Sequence, residues 1–349
     1  MAEIPIGRVV IGDGRPVVTI AEAACEHLGN LDVAKRIVDA AKWAGADIVK
    51  FQLHLWDEMI PGSIKFWAGS MDEVLQRYNL TVDDHAELMR YCEQVGIQYL
   101  CTPFCAKAAD ILEDLGAPAF KTGSGELTNI PMQQHIAKKG RPMIVSTGMA
   151  TVEEIGETVA VIKAERCPLI LTHCTSAYPP RYDQINLRFI PRLRAMFDVI
   201  VGHSDHTPDL WTAIGASLVG ARVIEKHFTL DRALKGPDYH ISLEPPEFKY
   251  MVEGIRKLEA AMGDEKLVYE EEQVVRAWAH HSVVSLADIP AGAAITAEMV
   301  GVKRPGSGVP AKHLPEFYGR VAKRRIPANS LIRWEDVDDA PSRVKKQGR

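Results

Sequence analysis

His206 and His227 each stand at the end of an apolar run that reads as a β-strand. The runs are Asp198-Val199-Ile200-Val201-Gly202-His203-Ser204-Asp205-His206-Thr207 and Arg222-Val223-Ile224-Glu225-Lys226-His227-Phe228-Thr229, with the helix-length stretch Pro208 to Gly220 between them. In a parallel α/β protein, neighbouring strands joined by one helix bring their C-terminal ends together, where catalytic groups collect. Two imidazoles meeting there can hold a divalent metal and leave most of its coordination sphere open to substrate. Side chains alternate along a strand, so Ser204 shares a face with His206, Glu225 shares one with His227, and His203 points the other way.

Other strand ends supply groups for an anion. Glu22, Lys50, Thr102, Lys121, Ser124 and Ser146 close five further runs, with Thr175 and Ser176 at a sixth and Ser204 beside the first histidine. Lysines and hydroxyls around one rim make a cradle for phosphate and carboxylate.

These residues meet only if the chain between Arg15 and Gly263 winds regularly. Strands are predicted at Val17 to Ala23, Asp47 to Gln52, Gln98 to Phe104, Ala119 to Ser124, Pro142 to Thr147, Leu169 to Thr175, Val199 to Thr207 and Arg222 to Thr229. Amphipathic stretches such as Leu31 to Ala44 and Thr151 to Arg166 follow them. Short continuous apolar strands alternating with helices imply a parallel sheet buried on both faces. About eight such units in roughly 250 residues match a closed (β/α)₈ TIM barrel, an α/β fold. A doubly wound open sheet would carry a glycine-rich nucleotide turn after its first strand, and none is present. The weakly periodic stretch Leu53 to Thr81 is long for a connector and is expected to serve as a lid.

After Gly263 the alternation stops. Residues 264–281 read as an acidic linker with some helix, residues 282–341 as a small irregular β-rich domain full of Pro and Gly turns, and 342–349 as a basic tail. A formal charge of -5 over 349 residues gives no reason to expect nucleic acid or an anionic membrane as partner. No apolar run approaches the ~20 residues of a membrane span. The N-terminus lacks the basic and apolar regions of a signal peptide. Six cysteines without a paired framework point to a cytoplasmic protein with reduced thiols. Cys101 and Cys105 fit no zinc spacing and read as packing residues.

Several motifs together resemble the sialic acid synthases. They are Ala21-Glu22 with His27 and Gly29, Gly45-Ala46-Asp47-Ile48-Val49-Lys50-Phe51-Gln52, Lys121-Thr122-Gly123-Ser124-Gly125-Glu126 and Ser146-Thr147-Gly148-Met149. The set continues through His173-Cys174-Thr175-Ser176-Ala177-Tyr178-Pro179, Ser204-Asp205-His206-Thr207, Glu225-Lys226-His227-Phe228-Thr229, Gly236-Pro237-Asp238 and Val302-Lys303-Arg304-Pro305-Gly306. The resemblance implies a barrel followed by a domain similar to type III antifreeze protein (a SAF domain), and a homodimer in which each small domain covers the partner's barrel mouth.

It also implies condensation of phosphoenolpyruvate with an N-acetylhexosamine, foremost N-acetylmannosamine, to give a nonulosonic acid and phosphate with a divalent metal. Manganese is the expected ion, with magnesium or cobalt as substitutes. Carried over by matching motif, Lys50, Thr102, Lys121, Ser124, Ser146, Ser176 and Ser204 hold phosphoenolpyruvate, and His206 and His227 hold the metal. Glu22, Tyr178 and Asp238 hold the sugar, with Arg304 reaching in from the partner. Glu126 or a metal-bound water manages the proton of the attacking water. Two positions depart from common patterns: Glu26, where many bacterial members have Asn, and Ser176, where some have Asn. Legionaminic or pseudaminic acid synthesis, or use of a 6-phosphosugar, is the nearest alternative. A related synthase of keto-deoxy sugar acid phosphates lacks the small domain. A non-catalytic sugar- or ice-binding role conflicts with the intact strand-end groups and with basic Lys303-Arg304 and Lys323-Arg324-Arg325.

Overall fold

The computed structural model describes residues 3–58, 65–66, 69–70 and 76–339. The chain divides into two compact units, 1–263 and 264–349.

The first unit opens with a hairpin, β1 (Ile4–Ile6) against β2 (Val9–Ile11). Eight parallel strands follow: β3 (Val18–Ala24), β4 (Ile48–Leu53), β7 (Gln98–Pro103), β8 (Phe120–Thr122), β9 (Met143–Ser146), β10 (Leu169–Cys174), β11 (Ile200–Asp205) and β12 (Val223–His227). Between β4 and β7 lie two short pieces, β5 (Lys65–Phe66) and β6 (Gly69–Ser70), paired antiparallel. The barrel order is β7-β4-β3-β12-β11-β10-β9-β8. β7 and β8 pack side by side, but no ladder joins them among the described residues, so the barrel is nearly closed.

Helices start where the sequence offers caps. Asn30 accepts from the amides of Asp32 and Val33 at the head of Leu31–Trp43, and Thr81 and Thr151 form capping boxes with Asp84 and Glu154. Their apolar faces pack on the outer residues of the strands, including Val49, Phe51, Val145, Leu171 and Val201.

The inner face has two storeys. Near the strand starts, Ile20, Ile48, Leu100, Ala119, Ile144, Ile170, Ile200 and Val223 form one apolar cluster with Ile4, Ile6 and Ile11 of the hairpin. Two residues further along each strand, the same inward face carries Glu22, Lys50, Thr102, Lys121, Ser146, Thr172, Gly202 and Glu225. Glycine at 202 is a packing requirement: a Cβ there would come within 2.5 Å of the Val223 carbonyl oxygen.

The second unit begins with a helix, Glu270–Ala279, none of whose residues is buried. β13 (Ser282–Ser285) pairs antiparallel with β14 (Val300–Lys303). Beyond that pair the backbone is joined by isolated bridges, such as Ile289 with Ile326 and Val284 with Leu331. Val283, Ile295, Phe317, Ile332 and their neighbours make a separate small core. Buried Asp336 accepts from the Arg333 amide at 2.8 Å and from Arg324 Nε at 2.6 Å, tying down a loop that no sheet supports.

All eight barrel strands fall within the predicted stretches or one residue beyond them, most of them trimmed at the ends. His206 accordingly follows β11 instead of belonging to it. In the small unit, residues 289–292 and 326–329 meet through a single bridge pair. The lid expectation rests mostly on residues 59–75, and most of that stretch lies outside the described residues, as does the basic tail.

Candidate functional site

The upper storey opens into a cavity of about 600 Å³ at the C-terminal ends of the strands. Glu22, Lys50, Thr102, Lys121, Ser124, Glu126, Ser146, Ser176, Tyr178, Ser204, His206, His227 and Asp238 all line it. These are all the barrel residues to which the resemblance assigned a role. Thr175 is not on the lining, and turns its hydroxyl to the Gln184 carbonyl. Arg304 lies in the second unit, where its Nε donates to the Ala279 carbonyl at 3.2 Å and its guanidinium sits 4.7 Å from the centroid of the Trp278 ring.

One wall is a buried charge cluster. Lys50 Nζ lies 3.1 Å from Glu22 Oε2 and 3.1 Å from Glu225 Oε1, and donates to Thr102 Oγ1 at 3.2 Å. Lys121 Nζ donates to Ser146 Oγ at 2.5 Å and to the Thr122 carbonyl at 3.0 Å, with Glu225 at 3.8 Å. Ser204 Oγ donates to Glu225 Oε1 at 3.0 Å. Burial opposes the charge on Glu225, but Lys121 and Lys50 outweigh it and bring the carboxyl down to about 2. Burial dominates at Glu22 and, despite Lys50, raises it to about 7. Burial also lowers Lys121, whereas the two carboxylates keep Lys50 above its ordinary value. The cluster is a set of cations and hydroxyl donors balanced by one firmly ionised internal carboxylate, which suits a small polyanion.

The opposite wall carries the histidines, with ring centroids 5.3 Å apart. His206 Nδ1 donates to the Thr175 carbonyl at 2.9 Å, which orients the ring and leaves Nε2 toward the remaining space. Burial would lower its pKa, but Cys174, 3.8 Å from Nδ1, raises it to about 9, and the thiol itself falls to about 7 despite burial. Tyr178 stacks on His206 at 4.2 Å. His227 is held well below its ordinary range by burial and then by the charge of His206, so it is neutral. Its Nδ1 is buried without a hydrogen-bond partner, 3.7 Å from Asp238 Oδ2.

Among the described residues no three His, Cys, Asp or Glu side chains converge on a metal position. Two imidazoles do converge, one with an orphaned buried nitrogen. That set fits a divalent cation which keeps most of its sphere for oxygen ligands.

Asp238 sits on a loop held from beneath. Glu26 Oε1 accepts from the Asp238 amide at 2.8 Å, and its other oxygen has no hydrogen-bond partner. Burial raises Glu26 to about 7 and Asp238 to about 6. Glu126 is half-buried on the lining, is raised chiefly by burial, and also keeps one oxygen unpartnered. The sequence reading gave no role to Glu225, Cys174 or Gln52, although Gln52 Nε2 donates to Glu22 Oε1 at 2.8 Å. Strand parity could have found all three, since each shares an inner face with a residue already chosen.

Among the described residues no helix is long and apolar enough to cross a membrane.

Comparison with known proteins agrees with this geometry. The sequence model of the NeuB family matches residues 37–267, and that of the SAF domain matches residues 280–338. An N,N'-diacetyllegionaminic acid synthase of Campylobacter jejuni is 37% identical over 327 residues, covering 90% of this chain and 98% of its own. The human N-acetylneuraminate-9-phosphate synthase is 33% identical over 346 residues, covering 96% of each chain. The crystal structure of an N-acetylneuraminic acid synthetase from Leptospira borgpetersenii, in complex with citrate, superposes with a TM-score of 0.73 at 31% identity. It covers 78% of this chain and 95% of its own.

Proposed function

The chain belongs to the NeuB family, and on that premise we propose that it condenses phosphoenolpyruvate with an N-acetylhexosamine, N-acetylmannosamine foremost, and water. The products are a nonulosonic acid and phosphate. The observation that carries this reading is the meeting, in one cavity, of Lys50 and Lys121 with the five hydroxyls of Thr102, Ser124, Ser146, Ser176 and Ser204, and of two imidazoles.

Phosphoenolpyruvate is a carboxylate and a phosphate on one small frame. Lys50, Lys121, Thr102, Ser124, Ser146, Ser176 and Ser204 supply charge-assisted donors enough to fix both ends and hold C3 toward the sugar. Glu22, Tyr178 and Asp238 hold the sugar hydroxyls. Glu22 and Asp238, raised by burial, can donate as well as accept near neutral pH. A divalent cation held by His206 and His227, manganese by preference, would polarise the open-chain aldehyde as a Lewis acid. As C3 adds to the aldehyde carbon, positive charge at C2 draws in water. Glu126 takes the proton of that water, and phosphate leaves by C–O cleavage.

The exposed Val274 and Trp278 on the helix 270–279 support a homodimer, because a second copy would cover apolar side chains that this chain leaves in solvent. Arg304 would then serve the partner's cavity. The six free thiols support a cytoplasmic setting.

The test is product mass analysis with phosphoenolpyruvate and a panel of N-acetylmannosamine, its 6-phosphate and 2,4-diacetamido hexoses, with arabinose 5-phosphate as a control. Turnover of N-acetylmannosamine with retention of phosphoenolpyruvate's three carbons supports the proposal. Exclusive use of a diacetamido sugar or a 6-phosphate would reassign the sugar, and use of arabinose 5-phosphate alone would sink it.

A further inference from the structure

The residues just before the two histidines form an ion pair of their own on the outside of the barrel. Asp205 Oδ2 lies 3.0 Å from Lys226 Nζ, and neither side chain is exposed at all. The β11–β12 ladder pairs His203 with Ile224, Ser204 with Glu225 and Asp205 with Lys226, and there it ends. His206 and His227 therefore stand just beyond the last pairing between these two strands, so the β11–β12 ladder does not itself set their separation, although His227 still pairs with Glu22 of β3 on its other side.

Side-chain bonds take over at that point. Asp205 Oδ1 accepts from the Thr207 amide at 3.0 Å, and Oδ2 accepts from Thr207 Oγ1 at 3.0 Å and Thr212 Oγ1 at 2.7 Å. Lys226 Nζ donates to the Thr207 carbonyl. His206 is thus clasped on both sides by partners of one buried pair, and the cation of that pair is the residue before His227. None of these groups reaches the cavity. A buried ion pair seldom stabilises more than an apolar pair of the same shape, so a role in fixing geometry is the physical reason to keep one.

We propose that Asp205 and Lys226 are positioning residues that fix the separation of His206 and His227, and through it the affinity for a divalent metal. This rests on the reading that those histidines hold the metal.

The experiment titrates Mn(II) alone into the full chain, with free Mn(II) read by electron paramagnetic resonance. Phosphoenolpyruvate affinity is measured by calorimetry, and thermal unfolding is followed in parallel. The variants are Asp205→Asn, the double Asp205→Asn/Lys226→Met, which removes both charges together, and His227→Ala as reference. The expected result is folded protein with Mn(II) affinity ~10- to 100-fold weaker, while phosphoenolpyruvate affinity stays within about threefold. Equal loss of both ligands would show a merely structural pair and overturn the inference. Unchanged Mn(II) affinity alongside a weakened His227→Ala overturns it while leaving the metal reading intact. Unchanged affinity in His227→Ala overturns the metal reading and the inference with it. If the double variant does not fold, Asp205→Asn, which keeps shape and one carbonyl acceptor, decides on the same criteria.

Discussion

Lys50 Nζ lies 3.1 Å from Glu225 Oε1 with both side chains buried, so this cavity-lining lysine carries its own counter-anion before any ligand arrives. Burial pushes both lysines down; at Lys50 the charges of Glu22 and Glu225 more than offset it, whereas at Lys121 Glu225 offsets it only in part. Breaking a buried pair costs about 3–5 kcal/mol, and Glu225→Gln, which keeps an acceptor for Ser204, is expected near the low end. A lysine with a lowered pKa loses its proton as pH rises, so phosphoenolpyruvate should bind the variant far more weakly at pH 8 than at pH 6. Calorimetry at the two pH values checks this; equal affinities would show that the carboxylate does not hold the charge state.

Lys121 should act on the anion and not on the metal. Lys121→Met removes the lysine's bond to Ser146 and one charge-assisted contact, a loss of about 2–4 kcal/mol in a closed site. The phosphoenolpyruvate requirement should rise by ~30- to 1,000-fold or turnover should stop. Mn(II) affinity should hold. Steady-state kinetics with phosphoenolpyruvate varied, set beside a metal titration, separates the two effects.

Chelation should abolish activity, and manganese should restore it. His206→Ala and His227→Ala should each weaken Mn(II) binding with the fold retained, as circular dichroism would show. Full activity in the double alanine variant would rule out these two residues as ligands.

Arg304 should complement across subunits. Arg304→Ala and His227→Ala are each expected to be inactive alone. Mixed under conditions that exchange subunits, they should recover activity, since one barrel then receives both defects and the other neither. Confirmed exchange without recovery would place Arg304 on its own barrel or outside the reaction.

Glu26 should make stability fall with rising pH. Its folded pKa is raised to about 7, chiefly by burial, so its contribution is fully present below the unfolded value near ~4.3 and is lost as pH rises through about 7. Glu26→Gln keeps an acceptor for the Asp238 amide and removes the ionisation. The variant should be more stable than the parent at pH 8, by on the order of 3–4 kcal/mol, and should lose that margin near pH 4. Denaturant melts at both pH values test the slope.

The barrel was legible because its strands are continuous apolar runs between amphipathic helices, and alternation then placed Lys50, Ser204 and His227 on the inner face. The hairpin Ile4–Ile6 with Val9–Ile11 was not legible: three-residue strands give no period, and only the assembled floor shows what they cover. Glu225 was visible as a neighbour of His227 on one face. Its role depends on lysines 175 and 104 residues away in sequence, and no local pattern reports that. The Asp205–Lys226 pair was hidden because sequence shows alternation and the neighbouring strand, but not the register that sets these two residues opposite each other. In the small unit, turns replace ladders, so composition indicated a domain but not the pairing within it.

Among the described residues, the isoleucine floor closes the lower end of the barrel. Whatever lies against the strand lysines has no rear exit through that floor, and it must leave from the C-terminal end of the strands by the way it came. Traffic through such a neck runs in one file, and a spent molecule lingering there keeps the next one waiting outside.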